Sequence, residues 1–179
     1  IAEKTGAKVI PITFDVTKRK ETDRMVNESI DKLGGVHILI NSASLPGGSP
    51  SAVGSLETLD EDELLADFKV KYVGALRCAR AVIPHMKQQK WGRIINISGT
   101  NARKAGNLSG GARNTSLVHL TKTLAVQFGR FGITVNCIHP GATRTERTPA
   151  ILANRAKELG LTQRRLEEID YSPDAISGN

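Results

Sequence analysis

Aromatic side chains are scarce: Phe, Tyr and Trp make up 4% of the 179 residues. That excludes a nucleic-acid platform of base-stacking rings, although the net charge of +7 suits an acidic partner or a phosphate-bearing ligand. The basic residues are dispersed, so the charge reads as a solvated basic surface, and no nucleic-acid partner is expected. Cysteine is almost absent. Cys78 and Cys137 sit in apolar helix and strand patterns without C-x-x-C spacing, which argues against a disulfide framework or a metal site and for reduced core residues. No apolar run reaches the length of a membrane span, so no membrane partner is expected. The amino end is neither a signal peptide nor a start, because Ile1 falls inside an apparent helix. The expected setting is cytoplasmic, and the chain is expected to have lost its beginning. Internal repeats, low-complexity tracts and interdomain linkers are also lacking.

What is present is ordinary globular material. With 39% hydrophobic and 24% charged residues, the chain is long enough for one core and too short for two, so residues 1–179 read as a single domain. Its elements alternate. Lys8 to Phe14 is strand-like, and Asp15-Val16-Thr17 leads into a helix with Met25, Ile30 and Leu33 on an apolar side, closed by Gly34-Gly35. Val36 to Ile40 is a near-continuous apolar strand, which implies burial on both faces. A Gly-, Pro- and Ser-rich loop runs from Asn41 to Ser55, and a long helix from about Asp60 to Gln89, with Pro84 expected to bend it. A strand at Arg93 to Ile97, a polar loop, a helix to about Arg130 and a strand at Ile133 to Ile138 follow. A charged helical segment, Ala150 to Ile169, and a polar tail ending Ser177-Gly178-Asn179 close the chain. Alternation of this kind predicts βαβ units and an α/β, doubly wound parallel sheet.

The stretch Asn96 to Asn114 stands out. It is a polar loop at the carboxyl end of one strand, followed by a helix with Asn114, Leu117, Thr121, Leu124 and Phe128 at helical spacing. In open α/β sheets that crevice is where ligands bind.

Several motifs, in order along the chain, resemble the short-chain dehydrogenase/reductase family. Asp15-Val16-Thr17 is similar to its D-V-T element, and Asn41-Ser42-Ala43-Ser44 to its N-N-A-G. Lys71 to Gly74, with Pro84 and Met86 beyond, is similar to N-x-x-G followed by P-x-M; Arg93 to Gly99 resembles R-I-V-N-I-S-S. Leu120 to Ala125 resembles L-T-R-x-L-A, Gly132 to Asn136 resembles G-I-R-V-N, and Pro140 to Thr145 resembles P-G-x-V-x-T. The resemblance implies a Rossmann-like fold, incomplete in this chain, and an oxidoreductase that binds NAD or NADP and a small carbonyl or alcohol substrate, without a metal, as a homo-oligomer. It places Asp15 and Val16 beside the adenine, Asn41, Ser42 and Ala43 beside the cofactor at the central strand's end, and Pro140, Gly141, Thr143 and Thr145 over the nicotinamide. The physical chemistry agrees: a carboxylate at a strand end accepts from an adenine amino group, and a Pro-Gly turn brings backbone close to a flat ring. Asp15 reads equally well as a cap of the next helix, and Pro140-Gly141 as a simple turn.

The chain departs from the family where the chemistry is done. The family uses a Tyr acid/base, a Lys four residues later, a Ser that bonds the substrate oxygen and an Asn that supports the Lys. Aligned through Leu120-Thr121, Gly110 stands at the Tyr, Asn114 at the Lys, Gly99 at the Ser with Ser98 before it, and Lys71 at the Asn. A glycine donates no proton from a side chain. Lys71 interrupts an apolar stripe of Leu64, Phe68, Ala75, Val82 and Met86. Two readings of it stand: it supplies the cation that the helix lysine once supplied, with Asn114 in exchange, or it lies at the groove edge with its amine in water. The candidate reacting groups are therefore Ser98, Lys71 and Asn114. Without turnover, the same residues describe a catalytically silent nucleotide-binding or assembly subunit. Ser98 and Thr100 are hydroxyls without a base, and Arg103, Lys104 and Arg113 read as solvated loop charges before they read as an anion site. The scattered His37, His85, His119 and His139 read as structural, although His139 beside Pro140 is positioned to approach the nicotinamide side.

The family's first two strands and its T-G-x-x-x-G-x-G turn should precede Ile1, about 50 to 60 residues. None of the 17 glycines forms that turn, so the pyrophosphate site is missing and a fragment is expected. The family's last strand is missing as well, and a sheet built with the Lys8 strand would have a gap in its middle.

Overall fold

The computed structural model describes residues 2–45, 48–141, 143–146 and 148–171. Three strands form one parallel sheet in the order β1 (Ile38–Asn41), β2 (Gly92–Ile97), β3 (Ile133–Ile138). Their registers are fixed by pairs such as Ile40 with Ile95 and Ile95 with Asn136. Helix α1 (Ala2–Thr5) and helix α2 (Arg19–Leu33) precede the sheet; α3 (Glu61–Phe68) and α4 (Gly74–Gln88) connect β1 to β2, and α5 (Leu108–Phe128) connects β2 to β3. This is the α/β, doubly wound parallel arrangement expected, reduced to three strands. The chain divides into two compact units, residues 1–139 and 140–179. The second holds α6 (Thr148–Leu159) and α7 (Gln163–Tyr171), whose Leu152, Ala156 and Leu166 form a small core of their own. The single charged helix expected at Ala150 to Ile169 is thus two, separated at Gly160, where φ is +65°. The polar tail at Ser177 to Asn179 lies outside the described residues.

Local signals explain most element ends. Asp60 caps α3 by accepting from the backbone N–H groups of Asp62 (2.9 Å) and Glu63 (3.1 Å). Gly34, at φ +83°, ends α2 in the left-handed conformation that only glycine adopts freely. The main core joins Val26 of α2, Ala79, Val82, Ile83 and Met86 of α4, and Ile94, Ile133 and Val135 of the sheet. Burying these side chains contributes roughly 1.5–3 kcal/mol for each of the larger ones. Cys78 is buried and free, and burial raises its thiol pKa to about 11; Cys137 is half-buried and free. No described helix is long and apolar enough to cross a membrane.

Two further expectations are corrected. Lys8 to Phe14 joins no ladder, because no strand lies beside it to satisfy its backbone groups, and Pro11 has no N–H to offer. β1 is not buried on both faces: Ile38 and Ile40 are 56% and 58% exposed, since nothing among the described residues covers that side. The long connecting helix is present as expected: α3 and α4 are continuous through Lys69–Val73, which is wound as a π-helical turn, and α4 runs on through Pro84.

Candidate active site

The polar residues gather where β1 and β2 end. Asn41 and Asn96 are partners across the ladder, so their side chains meet. Asn41 Nδ2 donates to Asn96 Oδ1 (2.8 Å), Asn96 Nδ2 donates to Thr121 Oγ1 (2.9 Å), and Thr121 Oγ1 donates to the Leu117 carbonyl (2.8 Å). This buried chain ties β1, β2 and α5 together at their functional ends. Sequence reasoning singled out Asn41 and passed over Asn96 as a site residue; an Asn in an apolar strand was the available signal.

The π-helical turn carries Lys71, which is 8% exposed. Its Nζ donates to the Ser98 carbonyl at 3.0 Å. Burial of the charged amine lowers its pKa to about 8, with the nearby Arg113 cation adding to the effect and Cys137 opposing it. The amine is therefore not in water at the groove edge. Ser98 Oγ in turn donates to the Asn114 carbonyl at 3.2 Å, so the structure brings Lys71, Ser98 and Asn114 into one hydrogen-bonded set. Asn114 is 5% exposed, and its Oδ1 has no hydrogen-bond partner.

At Gly110 a Cβ would sit 2.6 Å from both Asn101 Nδ2 and Asn107 Oδ1. Asn107 caps α5 by accepting from the Gly110 N–H. The space beside Gly110 is taken by that cap and by the Asn101 side chain.

A cleft of about 340 Å³ opens beside this set, lined by Val16, Asn41, Ser42, Ala43, Lys71 and Cys78, among others. Val16 reaches it because α4 packs tightly there: a Cβ on Gly74 would lie 2.6 Å from Val16 Cγ2. Asp15 does not cap α2, whose first cap position is Lys18. Its Oδ1 accepts from the Thr17 N–H (2.8 Å) and hydroxyl (2.7 Å), and these bonds hold the carboxyl below its usual pKa. The residues fit a nucleotide in one respect that matters physically: Lys71, which lines the cleft, spends one N–H on the Ser98 carbonyl, so buried donor capacity remains there.

In the second unit, Pro140, Gly141, Thr143 and Thr145 are exposed. Thr143 Oγ1 donates to the Gly141 carbonyl (3.3 Å), and the Thr145 N–H donates to Thr148 Oγ1 (2.8 Å) at the start of α6. Ala142 of that motif lies outside the described residues. His139, in the first unit, closes on backbone: its Nδ1 lies 3.1 Å from the Gly99 carbonyl.

Arg113 is not a solvated loop charge. It is 5% exposed and ion-paired with the fully buried Asp67, Nη1 to Oδ2, at 3.6 Å. Asp67 Oδ2 also accepts from Ser109 Oγ (2.6 Å) and the Ser49 N–H (3.0 Å), while Arg113 Nη1 donates to Ser44 Oγ (3.3 Å) and the Leu45 carbonyl (3.5 Å). Sequence reasoning missed Asp67, although an acid one turn before Lys71 on a largely apolar stripe was visible. Arg103 and Lys104 are exposed as expected.

The sequence profile of the short chain dehydrogenase family matches residues 1–156. The chain is 33% identical over 141 residues to (2S)-[(R)-hydroxy(phenyl)methyl]succinyl-CoA dehydrogenase subunit BbsD of Thauera aromatica, covering 78% of this chain and 55% of that protein. It is 27% identical over 170 residues to NADPH-dependent reductase BacG of Bacillus subtilis, covering 94% and 64%. In fold it is similar to sorbitol-6-phosphate 2-dehydrogenase SrlD from Erwinia amylovora, with a TM-score of 0.85 over 94% of this chain and 66% of that one at 21% identity. The chain thus spans between about half and two thirds of the length of these relatives. A profile that runs through most of the sequence, on a parallel α/β core with polar strand ends, means that this chain belongs to the short chain dehydrogenase family.

Proposed function

We propose that residues 1–179 are one partial nucleotide-binding domain of a nicotinamide-dependent oxidoreductase acting on a small carbonyl or alcohol, with Lys71 handling the proton. The observation that carries this reading is the buried Lys71 amine at the cleft, oriented by the Ser98 carbonyl and titrating near 8. An ammonium with that pKa is still protonated at neutral pH and gives up its proton readily, which is what a general acid requires. Lys71 Nζ holds the proton destined for a substrate oxygen; Ser98 fixes the amine's direction, and Asn114 anchors Ser98 through its backbone while its own Oδ1 stays free to accept. NADH or NADPH would supply the hydride for carbonyl reduction, and the oxidised cofactor would accept it in alcohol oxidation; BacG is named for NADPH. Asp15 would hold the adenine, and Val16, Asn41, Ser42 and Ala43 the body of the cofactor. A homo-oligomer has a surface available in the apolar groove of about 450 Å³ between α4 and α5, lined by Leu76, Ile83, Leu120, Leu124 and Phe128 among others.

A second reading, a catalytically silent nucleotide-binding or assembly subunit, is favoured at Gly110, where a Cβ would meet the Asn101 and Asn107 side chains at 2.6 Å. BbsD is itself named a subunit. Calorimetry of NADH and NADPH binding to the full-length protein, followed by reduced-nicotinamide oxidation against a carbonyl panel, separates the two. Binding with turnover that Lys71→Met abolishes supports the oxidoreductase; binding without turnover supports the silent subunit. Unchanged affinity and unchanged turnover in Lys71→Met would sink the role given to Lys71.

A further inference from the structure

Asp67 and Arg113 take no part in the chemistry above, yet they form the most deeply buried charged pair among the described residues, and both adjoin the hydrogen-bonded set of Lys71, Ser98 and Asn114 along the chain. Arg113 directly precedes Asn114, whose carbonyl receives Ser98 Oγ; the Ser98 carbonyl receives Lys71 Nζ. Asp67 lies four residues before Lys71, at the end of α3 where the π-helical turn begins. The pair is imperfect. Its closest approach is 3.6 Å, and Asp67 Oδ1 and Arg113 Nε are buried without hydrogen-bond partners. Two such charges neutralise each other only in part, and in a medium of low dielectric the remainder reaches nearby groups.

We propose that Asp67 and Arg113 are a positioning pair that sets the ionisation of Lys71: Arg113 opposes its ammonium form, and Asp67 limits that opposition. The proposal rests on the reading of Lys71 as the proton-handling group. The other titratable or charged groups around Lys71 are Cys137 on β3, Cys78 across the cleft on α4, and its own neighbours Lys69 and Tyr72. Of these, Cys137 acts on the amine in the opposite sense to Arg113. The strand β1 contributes the neutral Asn41.

A role that is only structural would move Lys71 in the same direction, or not at all, whichever member of the pair is changed. A charge role moves it in opposite directions. The measurement is the pH titration of the Lys71 Cε signal by NMR in the full-length protein labelled with 13C-lysine, assigned by its loss in Lys71→Met. Arg113→Met is expected to raise the midpoint by about one pH unit, the scale of one buried charge acting at an effective dielectric of about 20. Asp67→Asn is expected to lower it, and Arg113→Lys, which keeps the charge, to leave it in place. Shifts of the same sign in Arg113→Met and Asp67→Asn, or no shift in either, overturn the proposal. Should Arg113→Met fail to fold because it strands Asp67, the decision falls to Asp67→Asn with Arg113→Lys: a lowered midpoint in the first and none in the second supports the pair, and any other result overturns it. The signal reports a proton and not turnover. Opposite shifts in a protein without turnover would remove the oxidoreductase reading and leave the pair's control of Lys71 standing.

Discussion

Replacing Lys71 by Met tests the burial of its amine through stability, independently of any reaction. In the unfolded chain the amine titrates near 10.5, and in the folded protein near 8. Below pH 8 both states hold the proton, and the folded state bears the cost of a desolvated ammonium. Between pH 8 and 10.5 the unfolded chain binds more protons than the folded one, so stability rises with pH. At about 1.4 kcal/mol per pH unit the full rise is roughly 3 kcal/mol, an upper figure for a side chain 8% exposed. Cys78 works the other way: its thiol moves from 9.0 to about 11 on burial, so stability falls between those values. The wild-type protein should therefore gain about 1.4 kcal/mol from pH 8 to 9 and then flatten as the two effects offset. Lys71→Met lacks the rise. Urea unfolding of both proteins at pH 7, 8, 9 and 10 should show the variant's relative stability dropping by roughly 1.4 kcal/mol per unit above pH 8. Parallel pH profiles for the two proteins would refute the buried, depressed amine.

Asp67→Ala strands Arg113 as a buried, unpaired cation and should cost about 3–5 kcal/mol in chemical denaturation, far more than any exposed pair on α2. Asn96→Ala cuts the chain between Asn41 and Thr121; a loss of about 1–3 kcal/mol is expected, measured as a lower denaturation midpoint. Asn107→Ala removes the cap of α5 and should lower stability by about 1 kcal/mol. If Lys71 is the acid, carbonyl reduction in the full-length protein should decline as pH rises through about 8, since the amine then loses the proton it donates.

The architecture was largely legible in the chain. β-branched runs at Arg93 to Ile97 and Ile133 to Ile138, helical spacing after Ser109, Gly34 at a helix end and Asp60 at a helix start are local signals, and each marks an element of the structure. Periodicity reports which residues share a face, which is enough for a parallel α/β layout. Lys8 to Phe14 shows where this stops, because strand propensity makes no ladder without a neighbour to pair with. Lys71 and Asn114 could be marked as unusual from their positions alone, but whether the amine met water or the Ser98 carbonyl depended on a π-helical turn that has no local sequence signature. Asp67 and Arg113 are 46 positions apart, each ordinary in its own helix. Charge, burial and partner are pairwise properties of groups distant in sequence, so only packing α3 against α5 decides that these two meet, and that the space at Gly110 is closed.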